Sequence, residues 1–517
     1  MTEFISAAQV GTKIKDGATV VIEGFIGSGV AEAIHTALGK YYQQHQHPRQ
    51  LTLVHAAGIG DGKTKGMNHY AQAGMVKRLI GGHWAMAPQL HALVEANQIE
   101  AYNFPQGVIS RMMRAASAHE PFVATQVGLG TFVDPDYDGG KLNQAAQEEL
   151  VTKTIINDYE CLLYKTIFPD VAILRGTYAD DKGNVAFDEE PLTLEAVSEA
   201  MAAKNNGGIV IVQVKQKVPF GTLDPKQVKL PRLLVDYIVI ADDITQHQQT
   251  YNTLYDPVLL DTSAKREQQL TDFPLTQRKV IARRCAQLIS PQEHVVNYGI
   301  GMPEEIAKVL KEEQVKAQLI PTIEPGTFGG TPLGGLDFGT AIAPESIIDQ
   351  SEMFDFYDGG GIDITFLGLA ECDQNGNINV SRFGSKIAGA GGFIDISQNT
   401  PHVVFCGTFT AGGLQTTITN GKLQIIQEGR HHKFVKQVQH LTFNGRLAAA
   451  RHQEVYYITE RAVFKLTTAG LVLQEIAPGI DLERDILAQM DFKPLISSRL
   501  HEMDAKIFKP EKMHLHI

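Results

Sequence analysis

The sequence predicts an α/β protein made of two related halves with largely parallel sheets. Short apolar runs that suit buried strands, such as Gly208–Val214, alternate with helical segments along the chain, as in α/β layer folds. Similar segments also recur in the two halves. A chain of 517 residues is too long for one hydrophobic core, and one recurrence at long range predicts two domains rather than a solenoid.

The internal repeat has three anchors. The clearest aligns without a gap, and each copy consists of an apolar strand and a Gly-Asn turn that leads into a second short strand. The other two anchors lie upstream of it in each half. The matched segments are Asp170–Val185 with Asp363–Ile378, Val20–Gly27 with Val295–Gly301, and His55–Gly58 with Ile323–Gly326.

Domain boundaries follow from the repeat. The first domain is predicted to cover residues 1–245 and to close with a strand within Val235–Asp242. Residues 246–275, which lack clear periodicity, are predicted to connect the halves. The second domain, residues 276–517, is predicted to begin with an amphipathic helix over Arg278–Leu288 and to gain antiparallel strands near its end.

Composition excludes several classes of function. The 46 basic and 58 acidic residues give a net charge of −12, which disfavours nucleic acid or an anionic membrane as a partner. No apolar run is long enough to span a bilayer, and the start lacks the pattern of a signal peptide. The four cysteines are widely separated, which fits a reducing cytoplasm, and no metal site is predicted.

Glu324 is the main catalytic candidate. It follows an apolar run and lies on a turn of Pro and Gly, with no Lys or Arg nearby in the sequence. A carboxylate displayed in this way can act as a general base or a covalent nucleophile. A Glu that merely caps a turn is the alternative. The repeat argues against it, because the matching residue in the first half is Ala56.

The same comparison separates two asparagines. Asn377 has a counterpart, Asn184, so both are predicted to shape the shared turn. Asn379 faces Ala186 instead, which makes it a candidate for chemistry. Its side-chain amide could donate to a carbonyl oxygen without adding charge near Glu324.

Two glycine-rich loops are candidate binding elements. Asn297–Pro303 lies between a strand and a helix, where backbone amides attract a phosphate or an oxyanion. The third Gly of a dinucleotide fingerprint is missing, so no dinucleotide site is predicted. Phe383–Phe393 could offer amides to an oxyanion, with Lys386 for a phosphate. The alternatives are a plain strand–helix turn and a flexible surface loop, respectively.

These segments together resemble the family I coenzyme A transferases, most closely the single-chain type that acts on acetate and propionate. The resemblance covers nearly the whole chain and departs from the family pattern at Glu23 and Ala31. The segments that carry it are Asp16–Ala31, Gly81–Trp84, Asn103–Gly107, Val127–Asp134 and Glu475–Glu483, besides the Glu324 loop.

The resemblance implies a fold, a chemistry and site residues. It implies two Rossmann-like open-sheet domains in a homo-oligomer, a dimer or a tetramer. Glu324 would attack an acyl-CoA and then carry CoA as a glutamyl thioester in a ping-pong reaction with short-chain carboxylates. No cofactor is expected, since CoA is a substrate. The implied contacts are Gly391 and Gln106 for the oxyanion or substrate, and Gly299, Ile300, Gly301, Met302 and Pro303 for CoA.

Two other activities remain open from the sequence. An acyl-CoA hydrolase could use the same residues if water attacked the intermediate. A sugar-phosphate-binding module or isomerase could share the α/β layers, but it would have no need of Glu324 in its glycine-rich loop.

Overall fold

The computed structural model describes residues 2–263, 273–315, 318–515 and 517. The described residues form two compact units. The first contains those of Met1–Lys265, Ile323–Asp355 and Ser385–Asp395, and the second those of Arg266–Thr322, Phe356–Gly384 and Ile396–Ile517. Residues 323–355 and 385–395, assigned from the sequence to the second domain, therefore group with the first unit. The repeat reports equivalent positions along the chain, whereas a compact unit is defined by contacts.

The predicted connector, residues 246–275, is described only in part, because residues 264–272 lie outside the described residues.

Helices are found where the sequence predicts them, including one that closely matches the predicted Arg278–Leu288. Their bounds are α1 (Glu32–His45), α2 (Pro88–Glu95), α3 (Gln106–Ser117), α4 (Ala196–Asn205), α5 (Gln277–Ala286), α6 (Glu304–Glu312), α7 (Gln350–Asp358), α8 (Phe393–Asn399) and α9 (Gly445–Ala450). Within the described ranges, none of these helices is both long and apolar enough to cross a membrane.

The first unit is organised around an eight-stranded parallel sheet. In spatial order its strands are β1 (Glu3–Ile5), β15 (Tyr237–Ile240), β12 (Ile209–Val214), β9 (Val171–Arg175), β2 (Thr19–Ile22), β3 (Leu51–His55), β4 (Val76–Gly81) and β5 (Glu100–Asn103). Every residue of β9 is buried. Its residues alternate between two hydrophobic clusters, with Ala172 and Leu174 in one and Val171 and Ile173 in the other. Both faces of this sheet are therefore covered, as a parallel sheet requires.

Smaller sheets complete the first unit. One has the order β13-β10-β11-β14 and another the order β6-β8-β7, and two short antiparallel pairs follow Glu324. The strands are β6 (Phe122–Thr125), β7 (Val151–Ile156), β8 (Tyr159–Lys165), β10 (Tyr178–Asp180), β11 (Val185–Ala186), β13 (Gln216–Val218), β14 (Val228–Leu230), β18 (Thr327–Phe328), β19 (Thr331–Pro332), β20 (Ala341–Ile342), β21 (Ser346–Ile347) and β26 (Lys386–Ile387).

The second unit has its own mixed sheet, with parallel strands first and the predicted antiparallel strands near the end of the chain. Its strands run in the order β17 (Ile320–Ile323), β16 (Val295–Tyr298), β22 (Ile364–Gly368), β27 (His402–Cys406), β33 (Glu454–Ile458), β34 (Ala462–Thr467), β35 (Gly470–Ile476) and β36 (Leu495–Glu502). The shorter strands are β23 (Glu371–Asp373), β24 (Ile378–Asn379), β25 (Arg382–Phe383), β28 (Thr410–Ala411), β29 (Gln415–Thr419), β30 (Lys422–Gln427), β31 (His431–His432) and β32 (Phe434–Val435). The predicted α/β class with open, largely parallel sheets is confirmed.

Strand register confirms two anchors of the repeat. Thr52 pairs with Thr19 in the first unit as Ile320 pairs with Val295 in the second. Ala56 lies four positions after Thr52, and Glu324 lies four positions after Ile320, so Ala56 and Glu324 occupy equivalent positions. The pairs Tyr178–Ala186 and Glu371–Asn379 are likewise equivalent.

The third anchor was misaligned by one residue. Asp170 N–H donates to the Thr19 carbonyl, and Asp363 N–H donates to the Val295 carbonyl. Thr19 rather than Val20 is therefore the counterpart of Val295. Runs of similar apolar residues do not fix a strand register by themselves, because the register depends on pairing with the neighbouring strands.

Candidate active site

Glu324 is placed at the end of strand β17 by a tight turn. Gly326 N–H donates to the Ile323 carbonyl over 3.1 Å, and Gly326 has a φ of +116°. A Cβ atom at that position would lie 1.9 Å from the Ile348 carbonyl oxygen. Only glycine fits such a turn, so Gly326 fixes the point at which the Glu324 side chain leaves the backbone.

The Glu324 carboxylate has no polar partner among the described residues. It is half-buried, and none of the residues described donates a hydrogen bond to it or forms an ion pair with it. Burial raises the pKa of Glu324 to about 7, because a carboxylate loses hydration when the protein surrounds it. No described Lys or Arg side chain forms an ion pair with Glu324, and this matters because a cation would lower both the pKa and the nucleophilicity of the carboxylate.

Gly392 lies directly against Glu324. A Cβ atom added at Gly392 would be 3.0 Å from the carboxyl carbon of Glu324 and 3.0 Å from the ring of Phe354. The absence of a side chain at residue 392 therefore leaves the space next to the carboxylate open. The Phe354 ring provides an apolar wall beside it.

The predicted oxyanion donor, Gly391, is not available for that role. Its N–H donates to the Gly82 carbonyl over 2.7 Å, and its own carbonyl accepts from Gln106 N–H over 3.0 Å. The next amide, Gly392 N–H, has no acceptor in the described part of the chain. Gly392 is therefore the glycine beside Glu324 whose N–H is not engaged by a described residue, one residue from the predicted position. Two adjacent glycines offer no signal in the sequence by which to choose between them.

Gln106 lies in the same part of the first unit. It is the first residue of α3 and is 1% exposed. Its side-chain Nε2 donates to Gln350 Oε1 over 3.2 Å. Its Oε1 would be 3.6 Å from a Cβ at Gly391, so the side chain reaches the residue that precedes Gly392, the glycine beside Glu324. Of the predicted site residues, the structure brings Glu324, Gly391 and Gln106 together.

Lys386 is also in the first unit but makes no ion pair with any described residue. It is exposed on β26. The pKa of His91 is lowered, mainly by burial and in part by the charge of Lys386, so the two side chains are within electrostatic reach. An exposed, unpaired ammonium group is compatible with the predicted phosphate contact.

The predicted CoA loop lies in the second unit, between β16 and α6. Gly299 N–H donates to the Phe366 carbonyl, and Gly301 N–H donates to Glu304 Oε1 over 2.8 Å. Two of its amides are therefore already used. Ile300, with 55% of its surface exposed, and Met302 keep N–H groups for which the described residues provide no acceptor. Pro303 precedes α6 as its N-cap.

Asn379, also in the second unit, does not have the free donor that the prediction requires. Its Nδ2 donates to Glu371 Oε2 over 2.7 Å and to the Arg382 carbonyl over 2.6 Å. Its Oδ1 accepts from the N–H groups of Ser381 and Arg382. The side chain is completely buried and its hydrogen-bonding capacity is filled. Asn379 therefore shapes a turn, and the repeat comparison was misleading here.

For Asn184 and Asn377, the comparison between the two copies of the repeat agrees with the structure. Asn184 Nδ2 donates to Asp180 Oδ2 over 2.7 Å, and Asn377 Nδ2 donates to Asp373 Oδ2 over 2.9 Å. In both, the side-chain oxygen accepts from a backbone N–H far along the chain. Both residues have the same structural role, as predicted.

None of the residues described contributes to a group of three or more His, Cys, Asp or Glu side chains suited to hold a metal ion. The four cysteines are free thiols, and three of them are buried. Around Glu324, the described residues of the first unit therefore provide a desolvated carboxylate, the Gly392 amide and the Gln106 side-chain amide.

Comparison with known proteins places this chain in a family. Residues 5–241 match the family model described as Coenzyme A transferase. The chain is 44% identical to Acetate CoA-transferase YdiF of Escherichia coli K12 over 98% of this chain and 94% of that protein. It is 43% identical to Caffeate CoA-transferase of Acetobacterium woodii over 98% of both chains. The crystal structure of Acyl-CoA transferase (YdiF) apoenzyme from Escherichia coli O157:H7 has a TM-score of 0.94 at 41% identity and covers 99% of this chain and 97% of that one. Full-length similarity at this level shows that the protein is an enzyme of the coenzyme A transferase family.

Proposed function

We propose that this enzyme transfers coenzyme A between short-chain acyl-CoA thioesters and free carboxylates such as acetate or propionate, with Glu324 as the covalent nucleophile. The observation that carries this proposal is the Glu324 carboxylate, which is desolvated and unpaired among the described residues. It lies next to Gly392, whose N–H has no acceptor among the described residues. The relatives named above support transfer of CoA to a carboxylate. One further structure of the Escherichia coli O157:H7 protein, at 41% identity and a TM-score of 0.93, is described as a thioester complex with CoA.

The first half-reaction has two steps. A carboxylate oxygen of Glu324 attacks the thioester carbonyl, and the tetrahedral oxyanion accepts hydrogen bonds from Gly392 N–H and the free N–H of Gln106. The C–S bond then breaks, which leaves a mixed anhydride and CoA thiolate. The thiolate attacks the Glu324 carbonyl carbon and releases the acyl group as a free carboxylate. The enzyme now carries CoA as a glutamyl thioester.

The second half-reaction is the reverse with a new carboxylate. The acceptor attacks the glutamyl thioester, thiolate leaves, and the thiolate then attacks the acyl side of the new anhydride. Glu324 is regenerated as a carboxylate. Because the first product leaves before the acceptor reacts, the kinetics are ping-pong.

The residues around Glu324 suit these steps. A carboxylate is a weak nucleophile in water, and removal of its hydration makes it more reactive. A single fixed oxyanion donor contributes about 2.7–4 kcal/mol of transition-state stabilisation. In the first unit, Lys386 is the proposed CoA contact. The predicted CoA contacts of the second unit, the Ile300 and Met302 amides, are proposed separately. A dimeric or tetrameric assembly and a cytoplasmic location belong to the same proposal.

Mass spectrometry tests the nucleophile. Incubation with acetyl-CoA alone should add the mass of CoA less one water to a peptide that contains Glu324. Glu324→Ala should lose the adduct and nearly all transfer, whereas the exposed control Glu352→Ala should keep both. An adduct on another residue, or none on the wild type, would reject the proposal.

Rate measurements test the reaction type and acceptor. Release of free CoA should be slow without a carboxylate and give way to acyl-CoA formation when acetate or propionate is added. Caffeate, the acid in the name of one relative, should be included as an acceptor. Rapid CoA release that acetate does not divert would identify a hydrolase instead.

A further inference from the structure

A buried chain of hydrogen bonds connects Gln106 to a second carboxyl group in the first unit. Gln106 Nε2 donates to Gln350 Oε1 over 3.2 Å. Gln350 Nε2 in turn donates to Ser110 Oγ over 3.2 Å and to Glu195 Oε1. Ser110 Oγ donates to the same Glu195 oxygen. All four residues are at most 3% exposed, so water does not compete for these bonds.

Glu195 fixes the direction of every bond in the chain. Its Oε1 accepts two hydrogen bonds and carries no hydrogen, so the amide of Gln350 must present its nitrogen to Glu195. The Gln350 oxygen then faces Gln106, which must present its own nitrogen. One hydrogen of Gln106 Nε2 is used in this way, and the other stays free as a donor.

Protonation of Glu195 does not reverse this order. Burial raises the pKa of Glu195 to about 7, against the opposing effect of the hydrogen bonds from Ser110 and Gln350. A proton on the carboxyl group would reside on Oε2, since Oε1 already accepts two donors. Oε1 accepts from Gln350 in either state.

An ordinary structural role accounts poorly for Glu195. It occupies the N-cap position of α4, yet its side chain makes no capping hydrogen bond. Glu195 is also near two other buried carboxyl groups, Glu23 and Glu199. Burial raises the pKa of Glu23 and of Glu199 well above the usual range, and the charges of neighbouring glutamates raise both pKa values further. A buried carboxyl cluster costs stability, and the chain to Gln106 gives one of its members a specific use.

We propose that Gln350 and Glu195 are positioning residues that hold the Gln106 side chain with a free N–H directed at the reacting carbonyl. The backbone supports this arrangement. Gln350 N–H donates to the carbonyl of Leu194, the residue before Glu195, over 3.0 Å, and this bond holds Gln350 close to Glu195. The inference rests on the proposed function, in which Gln106 and Gly392 stabilise the oxyanion.

A double-mutant cycle tests the chain. Gln350→Met keeps the side-chain length and removes both hydrogen-bonding groups. It should lower the single-turnover rate of CoA-adduct formation by about 10–100-fold, with the KM for acyl-CoA within about threefold, since a fixed oxyanion donor acts in the transition state. In a Gln106→Ala background the same change should cost less than about threefold, because residues that act through one another are not additive.

Variants of the carboxyl cluster provide the matched control. Glu195→Met should behave like Gln350→Met, and Glu195→Gln, which keeps an oxygen acceptor, should restore most of the rate. Glu199→Gln changes a carboxyl of the same cluster outside the chain and should leave the rate unchanged. If Gln350→Met does not fold, the Glu195→Met and Glu195→Gln pair decides the question.

Three results would overturn the inference. These are additive losses in the cycle, equal losses in Glu195→Gln and Glu195→Met, or a loss in Glu199→Gln as large as in Glu195→Met. Each presumes that the wild type forms the adduct on Glu324. A wild type without that adduct would reject the proposed function itself, so the two failures are distinguishable.

Discussion

Glu324→Gln is expected to abolish transfer and at the same time stabilise the protein at alkaline pH. The folded protein raises the pKa of this carboxyl from the usual 4.5 to about 7. A raised pKa in the folded state means that ionisation opposes folding. The stability that the neutral carboxyl provides is fully present below pH 4.5 and is lost as the pH rises through about 7.

The magnitude follows from the pKa difference. At 1.36 kcal/mol for each pKa unit, the change from 4.5 to about 7 corresponds to about 3 kcal/mol at pH 8.5 and to less than about 1 kcal/mol at pH 5. Partial exposure of Glu324 reduces the larger figure to about 2–3 kcal/mol. For a unit of this size, that is a rise in Tm of roughly 3–6 °C.

The assay is thermal unfolding of wild type and variant at pH 5 and pH 8.5, at one scan rate. The comparison at pH 5 reports any cost of the buried amide, and the difference between the two pH values isolates the ionisation. Glu352→Gln, an exposed change on α7, should shift Tm little at either pH. An equal effect of Glu324→Gln at both pH values would show that this carboxylate is not desolvated, and the argument for its reactivity would fail.

Four further predictions concern the same site and its neighbours. As the pH is raised towards 7, the rate of adduct formation should increase about tenfold per pH unit, and above pH 7 it should level off, since only ionised Glu324 attacks and its pKa is about 7. A flat profile from pH 5 to 8 would contradict this. Gly392→Ala puts a methyl group 3.0 Å from the Glu324 carboxyl carbon and the Phe354 ring, so kcat should fall by about 10–100-fold in a folded protein, and unchanged kinetics would show that Gly392 does not border the reacting atoms. Asn379→Ala should cost about 1–3 kcal/mol of stability and change turnover of the folded enzyme by less than about threefold; a large loss of turnover at full stability would restore Asn379 as a donor. Gly326→Ala should destabilise more than either change, because its methyl group would meet the Ile348 carbonyl at 1.9 Å, and an unchanged Tm would show that this turn can rearrange.

The sequence by itself determined the fold class, the two-fold repeat and the nucleophile candidate. Alternating apolar and helical segments predict parallel α/β layers because buried strands must be apolar on both faces. Glu324 could be found because the repeat supplies Ala56 as an equivalent position. The first inference depends on patterns within a few residues, and the second on comparing two such local patterns from the two halves of the chain.

Only the tertiary structure decided which polar groups are free. Gly391 and Gly392 are the same residue type, yet one N–H donates to Gly82 and the other has no acceptor among the described residues. Asn379 met the sequence criterion for a donor, but its neighbours use all of its hydrogen-bonding capacity. The partner of a donor lies far along the chain, so local sequence does not reveal whether that donor is occupied.

The same reason explains the two features that the sequence did not predict. Residues 323–355 and 385–395 belong to the first compact unit, although they lie in the second half of the chain. The Glu195–Gln350–Gln106 chain joins residues more than 150 and 240 positions apart. Hydrogen bonds at such separations exist only once the chain has folded, since packing rather than sequence distance brings their partners together.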